Sequence, residues 1–227
     1  IMAQMKADLR LKVEPRHIEC FDNSNIQGTN PVAACVVFKN GKPSKKEYRH
    51  FNIKTVEGPD DFASMEEVVY RRYKRLLTEK ESLPNLIVID GGKGQLSAAM
   101  ESIDELGLRG QITVIGIAKK LEEIFFPGDS YPLYIDKKSE SLKVIQHLRN
   151  EAHRFGITHH RNLRSKNSIT SSILSIPGIG EMTMEKLFQK FKTVKAMKEA
   201  QEIDIVSLIG KSKTTVLTAY FKQEINE

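Results

Sequence analysis

The sequence predicts an α/β fold, a mixed sheet with helices on both faces, followed by a small all-helical module. Three observations carry this. Three β-rich runs in succession precede two strand–helix alternations. Two short apolar runs, Ile18-Glu19-Cys20-Phe21-Asp22 and Leu86-Ile87-Val88-Ile89-Asp90, each end in an aspartate followed by turn residues. Finally, a polar stretch at 162–172 precedes an Ile-Pro-Gly-Ile-Gly string at 176–180.

A short apolar run bounded by turn residues reads as a buried strand. The Asp22 run is the first strand, Val32–Phe38 the second and Tyr48–Ile53 the third, with a hairpin turn at Asn40-Gly41. Gly58-Pro59-Asp60-Asp61 breaks the pattern, and a helix follows from about Ser64, with Met65, Val68, Val69, Tyr73, Leu76 and Leu77 at helical spacing. The Asp90 strand, a helix over about 95–106, a strand at 113–118 and a hairpin around Phe125 and Tyr134 come next. A helix over about 141–160 closes the first domain. At about 100° per residue, its Ile145, Leu148, Ala152 and Phe155 form an apolar stripe beside a face of Gln146, Arg149, His153 and His160. This layout makes the first and fourth strands neighbours, so Asp22 and Asp90 meet at one sheet end.

The domains expected are 1–162, a Ser/Asn-rich linker at 163–172, and a compact helical module over 173–227. In that module the Pro-Gly-Ile-Gly turn is echoed weakly at Leu208-Ile209-Gly210-Lys211.

With 227 residues, 40% of them hydrophobic, the chain can support a substantial core, and no apolar stretch approaches the roughly 20 residues of a membrane span. A secretory signal is not expected, because no apolar run follows Met2-Ala3-Gln4-Met5-Lys6. The opening at Ile1 reads as part of a longer protein. Cys20 and Cys35, the two cysteines, fall inside strands as small apolar residues, which suits the cytoplasm. A net charge of +6 permits an anionic partner without demanding one. Basic residues gather at Arg149, Arg154, Arg161, Arg164 and Lys166, against one acid, Glu151, which reads equally as a solvated helix face or a nucleic-acid track.

Two carboxylates at adjacent strand ends require a cation between them, as in nucleases that hold catalytic Mg²⁺ or Mn²⁺. His153 is the expected third member, as metal ligand or proton carrier, and Glu67 stands in reserve. Lys93, in Asp90-Gly91-Gly92-Lys93-Gly94-Gln95, faces a phosphate in this reading; the string lacks the spacing of a nucleotide-binding P-loop. Lys93, Arg149, Arg154 and Arg161 are candidates to neutralise a DNA backbone. In the helical module Pro177, Gly178 and Gly180, and more weakly Gly210 and Lys211, are candidates to meet DNA phosphates through backbone N–H groups.

Four strings, Phe21–Thr29, Asn52–Asp61, Ile89–Gln95 and Arg149–Phe155, closely resemble the C-terminal half of the UvrC family, the nuclease subunit of bacterial nucleotide excision repair. The resemblance covers nearly the whole chain. It implies an RNase H-like endonuclease domain followed by a tandem helix–hairpin–helix domain. It also implies incision of double-stranded DNA on the 5′ side of a lesion by an Asp-Asp-His triad mapping onto Asp22, Asp90 and His153. The family's N-terminal half, with the other nuclease and the region that contacts UvrB, has no counterpart here, so the fragment is expected to lack 3′ incision and to be a monomer. UvrB is the expected partner of the full-length protein. The sequence departs from the family at Met182, where the first hairpin usually carries lysine, and in the second hairpin, which lacks the Pro-Gly-Ile-Gly form. Two other classes fit less well: a non-catalytic DNA-binding scaffold that kept the fold, and an actin-like nucleotide-binding domain with the same sheet order.

Overall fold

Alternation along the strands builds a three-layer sandwich. The computed structural model describes residues 1–24, 32–56, 58, 60–118 and 123–223, with backbone only at 24, 159–169 and 223. Its strands are β1 (His17–Ser24), β2 (Val32–Lys39), β3 (Lys42–Pro43), β4 (Arg49–Asn52), β5 (Leu86–Asp90), β6 (Thr113–Ala118) and β7 (Glu123–Phe125). They form one sheet in the order β3-β2-β1-β5-β6-β7, with β4 also paired to β2. β1 runs antiparallel to β2 and parallel to β5, and β5 runs parallel to β6. The expected neighbours are therefore neighbours.

Phe21, Cys35, Ile87, Ile89 and Val114 face one side, where they pack with Met65, Val69 and Tyr73 of α2 (Asp61–Glu79) and Leu96, Ala99 and Ile103 of α3 (Lys93–Glu105). Their chain neighbours Cys20, Val36, Val88 and Ile115 face the other side, against Met5 of α1 (Met2–Asp8) and Ile145, Leu148 and Ala152 of α4 (Glu140–Leu174). The apolar stripe expected on α4 is the one it buries. Asn40 and Gly41, at φ 51° and 78°, form the expected two-residue turn between β2 and β3.

The lead before β1 is a helix, α1. Two local readings change. α2 begins three residues earlier than expected because the Asp60 carboxylate accepts from the N–H groups of Phe62 and Ala63, an N-cap. And where Ser/Asn content predicts a linker over 163–172, the chain is helical, inside α4.

The chain divides into two compact units, 1–160 and 161–227. In the second, Ile173, Ile179, Met184, Leu187, Met197, Ile205, Leu217 and Phe221 form a core shared by the end of α4, α5 (Glu181–Phe191), α6 (Val194–Glu199), α7 (Glu202–Ile209) and α8 (Lys211–Gln223). No helix among the described residues is long and apolar enough to cross a membrane.

Opposite the site-bearing side of β1, Glu19 is a fully buried charge. Arg72 donates to it through Nε at 3.2 Å and Nη2 at 2.6 Å, Tyr73 Oη donates at 2.9 Å, and Cys35 Sγ lies 3.8 Å away. His17 Nε2 stands 3.3 Å from Glu19 Oε1. Burial opposes ionisation of Glu19, but His17 and Arg72 bring its pKa down to about 2. Burial and the Glu19 charge push the Cys35 thiol up.

Candidate active site

β1 and β5 pair in parallel register through Cys20↔Val88 and Phe21↔Ile89. The next step on each strand is an aspartate, so Asp22 and Asp90 stand side by side, with backbones separated by about one strand spacing, roughly 4.8 Å. Cys20 and Val88, two residues earlier, point to the α1–α4 side, and the period of two sends both aspartates the same way. Both are buried, Asp22 at 2% exposure and Asp90 at 4%. The thiol of Cys20 senses them: burial raises its pKa first, and the charges of Asp90 and Asp22 raise it further, while Arg149 opposes them.

α4 brings His153 to this corner. Its Nδ1 lies 3.0 Å from Asp22 Oδ2, a contact between residues 131 apart in sequence. A carboxylate oxygen accepts, so Nδ1 carries the hydrogen, and Nε2 is left for any further partner. Half of the His153 side chain is exposed. Flanking contacts fix this stretch of α4. Glu151 accepts from Tyr48 Oη at 3.2 Å and from Arg154 Nε and Nη2 at 2.7 and 2.8 Å. His50 of β4 stacks on Phe155 at 3.7 Å between ring centres, and its Nε2 is 3.1 Å from the Phe155 carbonyl oxygen.

The expected basic residues separate into different situations. Arg149, one turn before His153, has its Nη1 buried with no hydrogen-bond partner among the described residues. Arg154 is occupied by Glu151. Lys93 donates to the Ser130 carbonyl oxygen at 2.5 Å and lies over the Phe125 ring. The side chains of Arg161, Arg164 and Lys166 lie outside the described residues. Glu67, held in reserve as a metal-reaching carboxylate, is committed elsewhere. It accepts from the N–H groups of Lys54 and Thr55 and from Thr55 Oγ1, and it pairs with Arg71 at 2.7 Å. Those donors satisfy the carboxylate and hold its pKa down against burial, so Glu67 anchors the segment after β4.

In the second unit, Pro177, Gly178 and Gly180 are exposed, and Gly178 has φ +88°. Gly180 is the N-cap of α5 and supplies no side-chain bond, which leaves the first N–H groups of that helix facing outward. Gly210, at φ +81°, stands in the same place before Lys211 and α8. Lys213 Nζ donates to Thr183 Oγ1 at 3.0 Å, which ties the two helix starts together.

Two adjacent carboxylates supply hard oxygen donors of the kind Mg²⁺ and Mn²⁺ take. Among the described residues no group of three or more His, Cys, Asp and Glu side chains is gathered tightly enough to enclose an ion. The fit therefore rests on the two aspartates, with His153 as the hydrogen-bond partner of one of them.

A family model described as the UvrC RNase H endonuclease domain matches residues 6–157. The chain is 72% identical over 222 residues to UvrABC system protein C of Flavobacterium johnsoniae and 73% identical over 223 residues to that of Flavobacterium psychrophilum. In each case the match covers 98% of this chain and 37% of the relative, so the chain spans well under half the length of these curated relatives. Among solved structures, the endonuclease V of Bacillus subtilis aligns with 70% of this chain and 91% of its own, at 16% identity and a TM-score of 0.36.

Proposed function

The chain belongs to the UvrC RNase H endonuclease domain family, and from that premise we propose that it is the part of a bacterial excision-repair nuclease that cuts DNA on the 5′ side of a lesion, with Mg²⁺ or Mn²⁺ held by Asp22 and Asp90. The observation that supports this best is the His153–Asp22 contact, beside a second aspartate at the same step of the neighbouring strand.

Within this reading the metal ion, when bound, supplies Lewis acidity at a phosphate oxygen. Asp22 and Asp90 bind and orient it. His153 is oriented through Nδ1, so its Nε2 can take a proton from the attacking water or return one to the leaving oxygen. Arg149, its Nη1 buried one turn before His153, adds positive charge behind the corner. Duplex DNA bearing a lesion is the substrate, and UvrB the partner that presents it to the full-length protein. In the 173–227 module, the uncapped start of α5 and its counterpart at Lys211 position the duplex by phosphate contact, without reading bases.

Two experiments test these roles. His153→Asn retains a donor near the Nδ1 position and removes Nε2, and it is expected to cut on the order of a hundredfold or more slowly. The measurement is 5′ incision of a lesion duplex by the full-length protein with UvrB and Mg²⁺. Wild-type rates from both His153→Asn and His153→Ala would reduce His153 to a structural residue. His50→Ala is a poor control, because it releases Phe155 and with it the turn carrying His153.

Gly180→Val tests the helical module. A side chain there meets nothing within 4 Å, and φ is ordinary at −103°, so the fold tolerates it while the helix start is covered. Gly178→Val confounds the result, since φ +88° strains any branched residue. Gly180→Val is expected to weaken duplex binding severalfold at every salt concentration. Because it removes no lysine or arginine, the slope of log affinity against log salt stays near the wild-type value. Binding equal to wild type would make the module a protein-docking unit.

A further inference from the structure

Phe62 is a large apolar side chain left 56% exposed at the start of α2. It continues the spacing of Met65, Val69 and Tyr73, which α2 buries, but it stands outside the core those residues share. Two contacts place it at the strand ends that carry the aspartates. Asn23, the residue after Asp22, donates through Nδ2 to the Asp61 carbonyl oxygen at 2.8 Å. The Phe62 ring in turn lies against Gly94 of α3, four residues after Asp90, so closely that an added Cβ at Gly94 would fall 2.6 Å from ring atom Cε1. The Asp60 cap and the bond from Ser64 Oγ to the Asp60 carbonyl oxygen hold the first turn of α2 rigid beneath it.

The chemistry around the ring says what it meets. Asp60 consumes the N–H groups that would attract a phosphate there, and Asp61 adds a second acid. The start of α2 therefore disfavours phosphate. On the opposite rim, α4 presents the half-exposed His153, with the buried cation of Arg149 one turn behind it. A strand with its scissile phosphate at the aspartates and its backbone toward α4 brings a base to the start of α2, where the exposed surface is the Phe62 ring.

We propose that Phe62 is a substrate-positioning residue whose ring packs against the face of one nucleobase flanking the cut; this deepens, and rests on, the nuclease reading above. Stacking on a base fixes the adjacent phosphodiester over Asp22 and Asp90 and tolerates any base identity. Gly94 belongs to the same device, since its lack of a side chain seats the ring.

The test is a double cycle with the full-length protein, UvrB and Mg²⁺. Phe62→Ala, Phe62→Leu and Phe62→Trp are each assayed on lesion duplexes carrying a single abasic site walked two positions either side of the cut. Phe62→Ala is expected to cut roughly ten- to a hundredfold more slowly, Phe62→Trp to restore the rate, and Phe62→Leu to restore folding without the rate. At one position the abasic site should slow the wild type to the same degree and slow Phe62→Ala no further, the signature of a shared interaction. If the losses multiply at every position, or if Phe62→Leu cuts as fast as wild type, the proposal is overturned. Asp22→Asn, run in parallel, separates the two readings: normal cutting by it defeats the nuclease assignment, whereas a dead Asp22→Asn with an active Phe62→Ala removes the base contact alone.

Discussion

Asp22→Asn or Asp90→Asn is expected to lower 5′ incision by on the order of a thousandfold or more, leaving fold and DNA affinity close to wild type. The substitution keeps volume and removes a charge. Since both side chains are buried at the end of the sheet, at 2% and 4% exposure, neither carries a packing load that the amide cannot match. What is lost is the pair of anionic oxygens that the proposed ion requires. The two variants are also expected to differ. In Asp22→Asn the new amide oxygen can still accept from His153 Nδ1, so the histidine keeps its place, whereas Asp90→Asn tests the second carboxylate alone. Incision within tenfold of wild type by either variant, in Mg²⁺ or Mn²⁺, would exclude this corner as the reaction centre.

Glu19→Gln is expected to cost about 3–5 kcal/mol of stability, because it leaves Arg72 as an uncompensated charge that is only 8% exposed. Replacing both partners, as Glu19→Leu with Arg72→Met, is expected to recover most of that loss. The pH dependence follows from the same site. The folded pKa of Glu19 is depressed from an ordinary 4.5 to about 2. Its contribution to stability is therefore fully present above pH 4.5 and lost as pH falls toward 2. Urea unfolding of the wild type should show midpoints dropping across that window, and Glu19→Gln should show a flatter profile there. Identical pH profiles would place the acid sensitivity elsewhere.

The strands and the corner they form were legible because a buried strand advertises itself twice, by its apolar run and by the turn residues that end it. For β1 and β5 the residue at that boundary is an aspartate, and strand order alone made the two adjacent. The α4 stripe was legible for the same reason at helical period. Other features depend on tertiary partners that composition does not encode. α1 is seven residues long and is held by burial of Met5, more than by any helix signal. Residues 163–172 carry the composition of a linker and are helical in backbone, which polar composition alone does not distinguish. Charge counting does not show pairing: Arg154 reads as part of a cationic track, and Glu151 three residues before it pairs with it. Glu67 had the residue type for a metal site, but its carboxylate is filled by Lys54, Thr55 and Arg71, a demand set by the loop after β4.

The burial of Cys20 and Cys35 has a practical consequence. These are the two cysteines of the sequence, both fully buried, and both thiols are pushed upward, Cys20 by burial and the aspartates and Cys35 by burial and Glu19. Thiolate is the species that attacks maleimides and peroxides, so these two thiols are expected to react slowly with both while this chain is folded. Within this chain, a cysteine placed at an exposed position such as Glu185→Cys is expected to label ahead of the buried pair, and serves as a handle for a fluorophore or a crosslinker. Conversely, labelling of Cys20 or Cys35 reports opening of the sheet itself, which makes the rate of thiol modification a direct clock for unfolding of the core beneath Asp22 and Asp90.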